Sequence, residues 1–265
     1  PHTGKTVSTS SASIHSGGKC LNEALGVAKL GHNTAIIANV GNDTDADIIY
    51  DLVKEYPIDT AGLRRCQGYQ TGQSYIFVQK DGNSMISIML GANDSMDASC
   101  ITANERLFSN ASYCLVQTEI PLPAVMEACR TAKRYGIRTV LKPSACPQLP
   151  EELLSMVDMI VPNLDEINEI CPSQETMEEK ADFLLSCGIG TVIVTLGEEG
   201  CYIKSSEYQC ECRLPAVSFV SVDSTGACDA FISALVSYML YGYDLIASAK
   251  IATYAAGFSI TRQGT

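Results

Sequence analysis

The sequence predicts an α/β fold, a mostly parallel sheet with helices on both faces, and three observations carry that prediction. Short apolar runs of β type alternate with helical stretches, the βαβ rhythm that buries a parallel sheet between helices. The chain has 265 residues, 46% of them hydrophobic. At roughly 150 residues per domain that makes one large domain, or one with a small appendage, able to bury a core unaided. Finally, antiparallel signals interrupt the rhythm in only a few places.

In chain order, residues 35–40, 113–116, 139–141, 159–161 and 191–195 read as short buried strands. Residues 21–30, 46–55, 122–135 and 175–187 read as the helices among them. Residues 3–14 are polar and β-branched, and residues 74–80 and 84–90 flank Asp81-Gly82-Asn83, a hairpin signal. These two segments are expected to form a small sheet apart from the main one. A second antiparallel pair is expected at 200–204 and 207–213, a strand-like run at 217–222, and helices at 227–240 and 244–260.

Composition removes several function classes. Lys+Arg is 18 and Asp+Glu is 30, a net charge of −12, which argues against a nucleic-acid partner but not against a small phosphate ligand. No apolar run approaches the ~18 residues of a membrane helix. Residues 1–16 are polar and Ser/Thr-rich, unlike an export signal, so a cytoplasmic location is expected. The twelve cysteines are scattered through core-like segments and read as reduced thiols. Cys210 and Cys212 should share one strand face. No CxxC occurs and His2, His15 and His32 form no cluster, so no zinc site is expected.

In open parallel sheets ligands sit beyond the carboxyl ends of the strands, and four polar clusters stand there. Val222-Asp-Ser-Thr-Gly-Ala-Cys-Asp-Ala-Phe231 opens an apolar helix with small residues. Its free amides and dipole suit an anion, and Asp229 in the first turn could accept a hydroxyl proton during phosphoryl transfer. The same residues also read as a capped helix, with Ser224 or Thr225 as the cap. Ser16-Gly-Gly-Lys-Cys-Leu-Asn22 offers close backbone approach plus Lys19 and Asn22 as donors, or a plain turn. In Pro162-Asn-Leu-Asp-Glu166, Asn163 and Glu166 share a helical face and could hold a hydrated Mg²⁺, or simply start a helix. Thr195-Leu-Gly-Glu-Glu-Gly200 is a Gly-rich turn without dinucleotide spacing.

Taken in order, Gly-Gly-Lys-x-x-Asn, a hairpin, Asn-x-x-Glu, Thr-x-Gly-x-x-Gly and Asp-x-Thr-Gly-Ala-x-Asp resemble the ribokinase (PfkB) family of sugar and nucleoside kinases over nearly the whole chain. The resemblance implies a three-layer α/β/α domain, doubly wound, at residues 16–68 and 92–265, with a small β-sheet lid at 1–15 and 69–91. It implies ATP as phosphoryl donor and Mg²⁺ and K⁺ as ions. Asp229 matches the catalytic base, and Gly226, Ala227 and Cys228 the anion hole. Gly17, Gly18, Lys19 and Asn22 match the sugar-binding loop, and Glu119 matches a carboxylate that contacts the sugar, though it also reads as a plain strand-end acid. Asn163 and Glu166 match the motif organising Mg²⁺ and phosphate; Thr195, Gly197 and Gly200 match the nucleotide loop. Asp223, Thr225, Ser259, Arg262 and Gly264 resemble the potassium loops.

Three departures stand out. Cys228 replaces a usual glycine before the base and places a thiol at a helix N-terminus. Lys142-Pro143 stands where ribokinases more often show Asn-Pro. The family's first strand and last helix have no counterpart here, so they are expected to lie outside this sequence. The expected activity is transfer of the γ-phosphoryl group of ATP to a hydroxymethyl of a pentose-like sugar, ribose favoured. Alternatives are a nucleoside or other-sugar kinase, a non-catalytic sensor, or a dinucleotide oxidoreductase, which the missing GxGxxG disfavours. The resemblance also implies a homodimer through the lid strands, where Ile76, Val78, Ile86 and Ile88 alternate to give one apolar face; the same face also reads as a cover for the sugar.

Overall fold

A computed structural model describes residues 12–78, 84–144, 146 and 148–264. The strands are β1 (Thr34–Gly41), β2 (Ile58–Cys66), β3 (Gln73–Val78), β4 (Ser84–Met89), β5 (Tyr113–Gln117), β6 (Arg138–Lys142), β7 (Met159–Ile160), β8 (Thr191–Thr195), β9 (Cys201–Ser205) and β10 (Cys210–Leu214). The helices are α1 (Lys19–Lys29), α2 (Thr44–Lys54), α3 (Ala98–Thr102), α4 (Leu122–Arg134), α5 (Glu151–Leu154), α6 (Leu164–Ile170), α7 (Met177–Ser186), α8 (Ala227–Leu240) and α9 (Leu245–Ser259).

The main sheet has the order β10-β9-β8-β7-β6-β5. β5 to β8 run parallel, and β9 and β10 are antiparallel additions at one edge. Strand alternation sends successive side chains to opposite faces. Leu141, Ile160, Val192 and Val194 therefore join the core under α4 and α7, while Val140, Met159 and Ile193 join the core under α8 and α9. This is the expected three-layer arrangement. A third cluster joins α1 and α2 to β1 and β2, which pair in parallel with each other. Helix α1 packs on β1, β5 and α8 and so links the two sheets.

Three expectations need adjustment. Residues 217–222 form no strand: Val220 is 85% exposed, and the segment is held instead by the Val222 and Asp223 amides donating to the Ile260 carbonyl. The apolar run is there, but among the described residues no neighbouring strand offers it a ladder. Strand β2 escaped the sequence reading because Asp59, Arg64 and Arg65 interrupt its apolar pattern; its pairing with β1 makes it a strand. Of the expected lid, the β3–β4 hairpin is present with Ile76 opposite Ile86. Residues 12–15 have no regular structure, and the rest of the 1–15 segment and the hairpin turn lie outside the described residues. All twelve cysteines are free thiols, and Cys210 and Cys212 share one face of β10. Among the described residues no helix is long and apolar enough to cross a membrane.

Candidate active site

The carboxyl ends of β5, β6, β7 and β8 open toward the N-termini of α1 and α8, and the site is built there. Helix α1 begins after Gly18, whose φ of 103° favours a residue without Cβ although the space around it is open. That turn aims Lys19 and Asn22 across the strand ends. Lys19 Nζ lies 3.3 Å from Glu119, just beyond β5. Burial disfavours the Lys19 charge, but Glu119 and Asp229 outweigh it and hold its pKa above the usual lysine value.

Helix α8 begins after Gly226 in the left-handed region, at φ 79°, with no side chain capping it. The expected Ser224 or Thr225 cap is therefore absent, and no side chain takes the first-turn amides from an anion. One of the three anion-hole residues departs from the expectation: the Ala227 amide points to the Ser224 carbonyl at 3.3 Å. Asp229, 5% exposed, accepts a hydrogen bond of 2.7 Å from Asn22 Nδ2. Burial raises its pKa, opposed by Asn22, Lys19 and Lys142.

On the other side, Asn163 and Glu166 form a reciprocal capping box at the start of α6, each side chain taking the other's amide at 2.7 Å. Lys142 at the end of β6, 2% exposed, also donates to Glu166 Oε2, while Ser144 lies 3.4 Å from Oε1. Thr195 bridges to Asn163 across the strand ends, and its hydroxyl sits 3.6 Å from the Cys228 thiol. Cys228 thus points toward the Thr195 loop, whose Gly197 and Gly200 bracket a short 3₁₀ turn.

The two loops expected to hold a cation meet. Asp223 accepts from the Thr225 amide at 2.9 Å and from the Gly264 amide at 3.1 Å. Burial opposes its charge, but these bonds prevail and hold its pKa below the usual carboxylate value. Ser259 and Arg262 stand apart. The Ser259 hydroxyl bonds back to the Ala256 carbonyl, and Arg262 lies over the Phe258 ring.

Two residues of this cluster escaped assignment from the sequence. Lys142 was legible only as an unusual residue before Pro143. Glu23, on α1 directly after Asn22, looked like one more polar helix position, yet it is 2% exposed and bonded to Gln117.

Comparison with known proteins gives the same fold and one family. A family model for pfkB family carbohydrate kinases matches residues 2–265. The ribokinase of Staphylococcus aureus (strain COL) is 33% identical over 253 residues, covering 94% of this chain and 83% of that protein. The deoxyribokinase of Salmonella typhi is 28% identical over 270 residues, covering 100% and 88%. The structure of Arabidopsis thaliana ribokinase complexed with ribose and ATP superimposes with a TM-score of 0.89 at 26% identity, covering 100% of this chain and 88% of that one. The chain therefore belongs to the pfkB family of carbohydrate kinases and is an ATP-dependent phosphotransferase of that family.

Proposed function

We propose that the chain phosphorylates a hydroxymethyl group of a pentose-like sugar, ribose favoured, with Asp229 as the general base. The observation that carries this reading is the Asn22–Asp229 bond of 2.7 Å at the uncapped start of α8, beside the Lys19–Glu119 pair. Asp229 accepts the hydroxyl proton as its oxygen attacks, and the α8 amides stabilise the charge of the transferring phosphoryl group. Gly17, Gly18, Lys19, Asn22 and Glu119 bind the sugar. Asn163, Thr195, Gly197 and Gly200 face the nucleotide. Relatives named for ribose and for deoxyribose keep both sugars in view.

Magnesium fits through water. It keeps several waters and needs only one or two carboxylates besides phosphates, and among the described residues Glu166 Oε1 has only the long Ser144 contact. Among the described residues no group of three or more His, Cys, Asp or Glu could hold a metal by itself, which suits an ion carried in by the triphosphate. When bound, the ion neutralises phosphate charge. Potassium fits less fully. Asp223, Thr225 and Gly264 converge, while the Ser259 and Arg262 side chains turn elsewhere. The ion would stiffen the loop before α8.

The β3–β4 hairpin serves as a lid that excludes water during transfer. Its exposed Ile76, Ile86 and Ile88 pair with a second subunit, giving a homodimer in the cytoplasm. The test is ADP release with Mg²⁺-ATP against ribose, deoxyribose, fructose, fructose 6-phosphate, adenosine and pseudouridine, with and without K⁺. Turnover on ribose or deoxyribose that collapses in Asp229→Asn supports the reading. Ligand binding without ADP release would favour a sensor instead.

A further inference from the structure

Behind the proposed base lies a second carboxyl that the reaction as described does not use. Glu23 sits where α1, α8 and β5 meet. Its Oε2 accepts from Gln117 Nε2 at the end of β5, and among the described residues its buried Oε1 has no hydrogen-bond partner. Its neighbour Asn22 holds Asp229. Its own carbonyl takes the Ser233 hydroxyl at 3.3 Å, and that hydroxyl also bonds the Asp229 carbonyl at 2.7 Å. Glu23 and Asp229 are thus two carboxyls in one poorly solvated junction, stitched together on both sides.

We propose that Glu23 is a positioning residue for Asp229: the two form a buried carboxyl pair that shares one proton, Glu23 carrying it so that Asp229 remains the base. This rests on the reading of Asp229 as base. The groups facing Glu23 divide unequally. From α8, Asp229 presents like charge. From β5, Gln117 donates; from β6, Lys142 is near; on α1, Lys19 is near and the Cys20 thiol, itself pushed up to about 12 by burial, stays neutral. Burial and Asp229 prevail over Gln117, Lys142 and Lys19, and Glu23 lies well above the usual carboxylate range. The pair can lose its first proton from either member. Ionising Glu23 would leave a bare buried oxygen anion, which is costly. Ionising Asp229 gives a carboxylate that already has the Asn22 amide donor and the nearby Lys19 charge. The environments push the two groups apart in the way that separates acid from base in other paired-carboxyl sites. Losing the second proton places another negative charge beside the incoming phosphoryl group and slows transfer.

The test is the pH dependence of kcat and KM with ribose and Mg²⁺-ATP for the full chain, Glu23→Gln, Glu23→Ala and Asp229→Asn. It is paired with isotope-edited infrared spectra of the unliganded protein labelled at glutamate. Expected is an alkaline decline in the unsubstituted protein that disappears in Glu23→Gln, whose neutral-pH kcat stays within about threefold. Glu23→Ala should lower kcat about tenfold or more with KM changed less, as misplacement of a base does. A protonated carboxyl band should persist above the ordinary glutamate range and vanish in Glu23→Gln, with thermal melts confirming that each variant is folded. Absence of that band, or superimposable pH profiles for Glu23→Gln and the unsubstituted protein, overturns the pairing alone. Undiminished turnover in Asp229→Asn overturns the base reading and the pairing with it.

Discussion

The two sides of the candidate site hold their lysines in opposite ways. Lys19, on the side proposed for the sugar, forms a 3.3 Å pair with Glu119 in which the side chains are 30% and 23% exposed. Lys142, on the side proposed for the nucleotide, is paired with Glu166 at 3% and 15% exposure. A pair near water is weak and exchanges partners cheaply. A buried pair is costly to assemble and costlier to break, because removing one member strands the other's charge. On the proposed assignment, the Lys19–Glu119 pair can hand its charges to a ligand, while the Lys142–Glu166 pair keeps a fixed floor. Four substitutions or modifications test that contrast, from the largest effect to the smallest.

Asp229 belongs to neither lysine alone and should show the largest effect on rate. Asp229→Asn keeps the shape and removes the base, so kcat should fall by about 10²–10⁴-fold, the usual worth of general base catalysis. The pH profile gives the sign. Only the ionised carboxylate accepts a proton, and burial raises its pKa, so activity should rise with pH through a value above the ordinary aspartate of about 3.9. Stability runs the other way. A raised folded-state pKa contributes stability below the unfolded value that is lost as pH rises through the folded value. Asp229→Asn should therefore weaken this pH dependence above the ordinary aspartate value, as urea midpoints at several pH values would read. An unchanged acid limb, or turnover close to that of the unsubstituted protein, would remove Asp229 from the chemistry.

Lys142→Met should cost about 3–5 kcal/mol of stability, the range for breaking a buried ion pair by removing one partner. Adding Glu166→Gln should return part of it, because no unpaired carboxylate then remains. Denaturant titration of the two variants reads this directly. A loss under about 1 kcal/mol for Lys142→Met would mean the pair behaves like a surface one, and the contrast between the two sides would fail.

That contrast also marks how far the sequence could be read. The parallel strands β6 and β8 were legible because each is a short apolar run buried on both faces, as Val140 and Leu141 or Val192 and Ile193 show by dividing between two cores. Lys19, Asn22 and Asp229 were legible because glycine and small residues frame them at helix starts. Strand β2 was hidden by its own charges, and residues 217–222 imitated a strand for lack of any sequence sign that no neighbour would pair with them. Glu23 and Lys142 were hidden for a deeper reason: a charged residue on a helix or at a strand end gives no local sign of burial. Their depth follows from elements packed against them from far along the chain, Gln117 for one and Glu166 for the other.

Cys228 probes the border between the two sides. Its thiol lies 3.6 Å from the Thr195 hydroxyl, facing the loop proposed for the nucleotide. Alkylation should abolish most turnover, and Mg²⁺-ATP should slow the modification more than ribose does. Equal protection by both would put the thiol on neither side in particular. Full activity after complete modification at Cys228, established by mass spectrometry, would mean that its side chain leaves the α8 amides clear.

The smallest effect on stability, and the most telling one for function, should come from Lys19. In a double-mutant cycle of Lys19→Ala and Glu119→Ala without ligand, the coupling should be about 1 kcal/mol or less, since the pair remains partly in water. The same Lys19→Ala should raise KM for ribose more than it lowers kcat, the pattern of an interaction made equally in ground and transition states. The ribose-side loss should exceed the stability coupling, because a bound sugar excludes the water that now weakens the pair. If instead the stability coupling matched that of Lys142 with Glu166, the half-exposed pair would be as fixed as the buried one. Lys19 would then be scaffold, and the sugar would have to be held by Asn22 and the Gly17-Gly18 backbone without its charge.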